Sequence, residues 1–393
     1  MPEMTSRARM LQAIRRQDTD HIPCCLMSFA ILRKRLNEDW YEVARQELAM
    51  GLDSMLFIPS APRFARLDHP DLRGLPVRFH PDVTTKEWRQ KSDDGYEYLH
   101  KVYSTPAGEL STNIRLTEDW PYGDHIPFID DYQIPRSNKS LISGPDDMAA
   151  LEYVLTAPKA EDIHKFQLEA ATARQFTQEH GIMLSGGWGV GMDLANWLCG
   201  MQNLMLMTIE QSEFVDSLLE TIFNWNKQRM EVVLSAPVDL YIRRAWYEGC
   251  DFVTPRFYRK SILPRLKAEV DLAHERGALF GYICSSGTKP MLDFYKEAGI
   301  DVLIGVDPIQ GTHTDIPLMK SKLADSTSLW GGVSAAVTVE RGTEDEVRAA
   351  VKEACHKMGP SGFILSPIDN LTVDDPLTWD NLKIFIDEWQ KCR

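Results

Sequence analysis

The chain has 393 residues, 44% of them apolar and 25% charged, which is enough for one large globular domain or two ordinary ones. A formal net charge of −14 argues against nucleic-acid and anionic-membrane partners, because both would repel it. No run approaches the apolar length that spans a bilayer, and the opening MPEMTSRARMLQAIRRQDTD lacks the apolar centre of a signal peptide, so the cytoplasm is the expected location.

Following the amphipathic opening, HIPCCLMSF (21–29) and LDSMLFIPS (52–60) read as buried strands flanking the helical LRKRLNEDWYEVARQELAMG. Residues 61–157 break that rhythm. They hold a Pro-rich loop, hairpin-like stretches within TKEWRQKSDDGYEYLHKVYSTPAGELSTNIRL, and an irregular acidic connection. From about residue 180, apolar runs alternate with helical periods: GIMLSGGWG (181–189), VDLYIRRAW (238–246), ALFGYICSS (278–286), DVLIGVDP (301–308), TSLWGGVS (327–334) and GFILSPIDN (362–370). The helical TEDEVRAAVKEACHKMG opens on Thr343 with Glu346 three residues on, a capping box. Eight strand candidates separated by helices predict an α/β fold, a (β/α)8 TIM barrel forming a single domain over 1–393. The stretch 61–157 is then a β-rich insertion after the second strand, near the catalytic mouth. A doubly wound open sheet is the alternative.

Chemistry in such barrels sits at the C-terminal ends of the strands. The densest cluster there is YIRRAWYEGCDF, with Arg243, Arg244, Trp246, Tyr247 and Glu248. Strand alternation sends one arginine inward and the other toward the helices. An inward arginine suits a carboxylate or phosphate, and a desolvated Glu248 with Tyr247 suits proton transfer. The competing account is a structural Arg–Glu pair with aromatic packing. Asp307, Asp369 and Asn370 end two further strands and are candidates for acid catalysis or hydrogen bonding, against a role in capping and turns. GGWGVGMD (186–193) does not match GxGxxG, so its glycines fit close backbone approach to a ligand, with Trp188 as a stacking surface.

Cys284, in FGYICSSGTKP, raises the question of a metal ligand or nucleophile against a small strand-end residue. Zinc needs three or four ligands held together, and Cys284 has no sequence neighbour to pair with. Glu248 and the loop residue His313 are the other weak candidates. The seven cysteines are scattered without a CxxC pair, as suits reduced thiols, and exclude a cysteine-rich zinc module.

The opening SRARMLQAIRRQDTDHIPC resembles that of the uroporphyrinogen decarboxylase superfamily. So do TPRFYRKSILPRLKAEVDLAHERG, KPMLDFYKEAGIDVLIGVDP, WGGV, GTEDEVRAAV and GFILSPIDNLTVDDPLTWDNLKIFIDEW, in the family's order. The resemblance implies a (β/α)8 barrel and one of two activities. One branch decarboxylates a carboxylated tetrapyrrole, uroporphyrinogen, without a cofactor; the other transfers methyl groups to or from corrinoid proteins or thiols, usually with zinc. The decarboxylase loop RQAGRYxPEYR is replaced here by SFAILRKRLNEDW. The zinc branch's His-x-Cys and distant cysteine are replaced by Ile283, Cys284 and Ser285 and by GGVSAAV, which leaves zinc uncertain.

The expected function is therefore a methyltransferase of this superfamily, acting as a demethylase. It would move a methyl group from a small methylated donor, for instance a methoxylated aromatic, to a corrinoid on a separate protein. Glu248, Tyr247, Tyr282 and Asp307 are candidate acids at the leaving oxygen, with Trp188 and Trp246 as ring-stacking surfaces. The alternatives are a cofactor-free decarboxylase holding its substrate with Arg243 or Arg244, and a catalytically silent ligand-binding barrel. The expected partners are a small-molecule substrate and a corrinoid protein, with homo-oligomerisation left open.

Overall fold

Seven parallel strands form the sheet of the first of two compact units in the computed structural model, which describes residues 3–59, 76–312 and 314–392, without the side chain of Trp188. They are β1 (Met55–Ile58), β6 (Met183–Gly189), β7 (Leu240–Arg244), β8 (Leu279–Ile283), β9 (Val302–Val306), β10 (Ser328–Ser334) and β11 (Phe363–Ile368), adjacent in that order. Their sequences are apolar almost throughout, as strands covered on both faces require. The sheet curls around a cluster that includes Met183, Ile242, Ile304, Trp330 and Ile364. The helix Ser6–Ile14 adds Met10, Leu11, Ala13 and Ile14 to it.

The first predicted strand, 21–29, forms no regular strand. It is reduced to two isolated parallel bridges, Cys24 with Leu365 on β11 and Cys25 with Asp53. Side chains replace its backbone partners. The Cys24 amide donates to Asp53 Oδ2 at 3.0 Å and the Met27 amide to Ser366 Oγ at 3.1 Å, while Pro23 has no N–H to donate. The ladder hydrogen bonds that remain run from the Cys25 amide to the Leu365 carbonyl, from the Leu365 amide to the Pro23 carbonyl and from the Asp53 amide to the Cys24 carbonyl.

Two arginines of the opening helix fasten it to the starts of strands. Arg7 binds Asp239, whose Oδ2 also accepts the Leu184 amide. Arg9 binds Asp20 through Nε and Nη2 and Asp53 through Nη1, the latter at 2.6 Å. Burial acts to lower the Arg9 pKa, but the two carboxylates hold it above its ordinary value.

The second unit comprises 59–168 and 189–233. The Pro-rich start of the predicted insertion falls outside the described residues. The hairpin stretches form an antiparallel sheet of β2 (Thr84–Lys91), β3 (Glu97–Thr105), β4 (Gly108–Arg115) and β5 (Ser137–Lys139), in that order. One face buries Leu99, Tyr103, Leu110 and Ile114 together with Lys101, whose Nζ donates to the Ile126 carbonyl at 2.7 Å. Among the described residues, no helix is long and apolar enough to cross a membrane. The capping box at Thr343 and Glu346 opens the helix Glu344–Met358 as its sequence predicts.

Glu47, fully buried and accepting a 2.6 Å hydrogen bond from Ser54 Oγ, has its pKa pushed up by burial to about 8. The unfolded chain releases this proton near 4.5, so between 4.5 and about 8 the folded state holds the extra proton and stability falls as pH rises. The full loss is on the order of 5 kcal/mol. Glu47→Gln removes this slope, so the variant should melt above the parent at about pH 9 and close to it at about pH 5. Parallel melting curves across that range would show that Glu47 does not titrate this way.

Candidate functional site

Register and alternation decide which arginine faces where. On the neighbouring strands β7 and β8, Arg243 lies beside Tyr282 and Arg244 beside Ile283. Leu240, Ile242 and Ile283 belong to the inner cluster, so Arg244 shares the inner face while Arg243 and Tyr282 share the outer, helix-side face. Arg243 donates from Nη1 to Glu269 Oε2 at 2.7 Å, on the helix Leu263–Glu275, and from Nη2 to Glu248 Oε1 at 2.5 Å. The other Glu248 oxygen accepts from Tyr282 Oη at 2.5 Å, and the Tyr282 and Tyr258 hydroxyls lie 3.1 Å apart. None of these five residues is more than 3% exposed. Tyr258 opens a π-turn, Tyr258–Ile262, ahead of the helix that carries Glu269 and, at its second position, Pro264.

The electrostatics follow from burial. Desolvation acts to lower the Arg243 pKa, but Glu248 and Glu269 outweigh it and hold the guanidinium well above its ordinary value. Burial pushes the phenols of Tyr258, Tyr282 and Tyr295 well up, with Glu248 adding to each, so all three stay protonated at neutral pH. The network is thus a cation between two carboxylates, extended by two phenols.

Cys284 continues the Tyr282 side of β8. It is fully buried, accepts from Tyr295 Oη at 3.5 Å and lies 3.5 Å from the Ser286 carbonyl. Its neighbours are therefore a phenol from the helix Leu292–Ala298 and a backbone oxygen. Among the described residues, no three His, Cys, Asp or Glu side chains converge where a metal could sit. The donor set described does not fit zinc. His313 lies outside the described residues, as does the side chain of Trp188.

The remaining candidates divide by exposure. Asp307 is buried at the end of β9, and its Oδ1 accepts the amides of Ile309 and Gln310 at 2.8 and 2.9 Å, shaping a turn. Trp246 and Tyr247, just past the end of β7, are half-buried. Trp246 packs on the inner cluster and Tyr247 meets Phe252 edge-on at 5.2 Å. Asp369 is exposed beyond the end of β11, and Asn370 beside it is half-buried, with an Oδ1 that is shielded from solvent and accepts no hydrogen bond among the described residues. Gly187 has φ +135°, and a Cβ there would stand 2.4 Å from the Ile242 carbonyl oxygen; close approach of β6 to β7 requires this glycine.

Sequence reading did not single out Glu269, Tyr258, Tyr295 or Gln310, whose Oε1 lies 3.4 Å from Ser334 Oγ. Glu269 did carry a signal. It interrupts the buried stripe of Leu266, Val270 and Ala273, and a carboxylate on such a stripe needs a cation.

A family model described as uroporphyrinogen decarboxylase (URO-D) matches residues 115–391. Among solved structures, a methyltransferase from Methanosarcina mazei is similar over 99% of this chain and 99% of its own, at 15% identity and a TM-score of 0.59. A B12-independent methionine synthase from Shewanella sp. W3-18-1 is similar over 94% of this chain and 98% of its own, at 10% identity and a TM-score of 0.49. No curated protein matches the sequence.

Arg243→Met leaves Glu248 and Glu269 buried without their cation and should cost about 3–5 kcal/mol in denaturant unfolding. Adding Glu248→Gln and Glu269→Gln should recover most of that loss. A single variant within about 0.5 kcal/mol of the parent would show that the network contributes little to stability.

Proposed function

Since the chain belongs to the uroporphyrinogen decarboxylase family, we propose that it is a methyltransferase of that family, taking a methyl group from a small methoxylated aromatic and passing it to a corrinoid carried by a separate protein. The observation that carries the choice is that Arg243 is committed to Glu248 and Glu269 and so is withdrawn from holding a substrate carboxylate, which leaves decarboxylation Arg244 alone of the two arginines. The whole-length likeness to a methyltransferase supports the same reading. In this proposal the seven strands and the bridges at Cys24 and Cys25 together close an eight-stave barrel, and residues 61–157 are an insertion in its sequence.

A corrinoid brought by its carrier protein would supply the nucleophile for the methyl group. The leaving oxygen then gathers negative charge, and this chain's residues answer that charge. Arg244, on the inner face and always protonated, offsets it electrostatically. Tyr247, half-buried past the end of β7, delivers the proton. Trp246 stacks on the donor ring. Asp369 and Asn370 hydrogen-bond ring substituents. Glu248, Tyr282 and Arg243 are positioning residues that hold the end of β7 and the loop carrying Trp246 and Tyr247. Asp307 sets the turn after β9. No step is drawn through zinc.

The mutual satisfaction of Arg243, Glu248, Glu269 and Tyr282 favours a second reading, a barrel that binds a ligand without converting it. Incubation with a panel of methoxylated aromatics and chemically reduced cobalamin separates the readings. Methyl transfer predicts phenol formation that depends on the cobalamin, lowered in Tyr247→Phe by about 100-fold in kcat with the melting temperature unchanged. Release of CO2 from a carboxylated substrate without cobalamin would establish decarboxylation instead. Binding without turnover would establish the silent barrel.

A further inference from the structure

One face of the second unit's antiparallel sheet buries Leu99, Tyr103, Leu110 and Ile114, so alternation sends Gln90, Tyr98, His100 and Asn113 to the other. Register places Gln90 beside Tyr98, and His100 beside Asn113. A cavity of about 250 Å³ opens there. Three carboxamides (Gln90, Asn113 and Asn138), the Asp94 carboxylate, the Tyr98 phenol and the His100 imidazole line it.

These groups are pre-arranged. Tyr98 Oη donates to Asp94 Oδ2 at 2.7 Å while the Tyr96 amide donates to Asp94 Oδ1 at 2.9 Å, which orients the carboxylate. His100 lies flat against Trp88, with centroids 5.1 Å apart and planes at 7°, and Trp88 is 37% exposed. Burial, with Lys139 nearby, lowers the His100 pKa and keeps the ring neutral at neutral pH. Asn113 Oδ1 is shielded from solvent yet accepts no hydrogen bond among the described residues, an unmet capacity for a hydroxyl donor.

The chemistry of the lining selects its ligand. No lysine or arginine lines the cavity among the described residues, which disfavours phosphates and carboxylates. The lining lacks the aliphatic walls that an apolar ligand needs. Carboxamides and a fixed carboxylate both pair with vicinal hydroxyls. We propose that this face binds a neutral polyhydroxylated molecule of the mono- or disaccharide class.

Calorimetric titration and saturation-transfer NMR of the full chain test this, with methyl glucoside, galactose, N-acetylglucosamine and cellobiose as probes and inorganic phosphate as the anionic control. At least one sugar should bind, and Gln90→Ala and Asn113→Ala should each weaken it by about ten-fold. Gln90 is exposed on the edge strand β2, so its substitution tests binding without threatening the fold. Absence of binding by every sugar, displacement of a bound sugar by phosphate, or affinity unchanged in both variants would overturn the proposal.

Discussion

The Arg9 guanidinium holds together the part of the first unit that its strands alone leave open. Asp53 takes Arg9 on one carboxylate oxygen and the Cys24 amide on the other. Asp20 takes the remaining face of the arginine, and Nη2 also reaches the Met4 carbonyl. Through this one cation, the opening helix, the start of β1 and the Cys24–Cys25 segment share an anchor. That segment pairs with Leu365 on β11 and with Asp53 ahead of β1, which are the two edges of the seven-stranded sheet. A buried cation between two carboxylates leaves no cheap way to lose one member, because each loss strands a charge out of water.

The same arrangement recurs at the other end of the strands. Arg243 sits between Glu248 and Glu269 as Arg9 sits between Asp20 and Asp53. The two devices differ in what they hold. Arg9 ties a helix across the strand starts, whereas Arg243 ties the outer helix Leu263–Glu275 to β7 and to the turn that presents Trp246 and Tyr247. Polar residues at strand ends are therefore of two kinds, and burial between sheet and helix separates the structural kind from those that a substrate can reach.

The second unit solves a different problem. Its antiparallel sheet covers one face with Leu99, Tyr103, Leu110 and Ile114 and leaves the other to polar and aromatic groups. Cation–π contacts lie there, Lys86 over Trp88 and Arg115 over Tyr96.

Periodicity and spacing by themselves determined the alternation of apolar runs and helices, the hairpins of 84–115 and the capping box at Thr343, while the order of motifs carried a resemblance to the family. These are local or nearly local properties, set by side-chain period and turn chemistry within a few residues. The pairing of β7 with β8 could not be read that way. Alternation in YIRRAW requires that Arg243 and Arg244 face opposite sides, but which faces inward depends on where Leu240 and Ile242 meet Ile304 and Trp330, residues far away in the chain. Likewise Cys284 lies on the side of Tyr295 because Tyr282 lies on the side of Arg243. The strand expected over 21–29 shrank to two bridges because Asp53 and Ser366, distant in sequence, took the amides that a ladder would have used. Residue types were legible from the sequence. Which partner each would meet was decided only by tertiary packing, because charge pairing and burial act between residues that spacing does not connect.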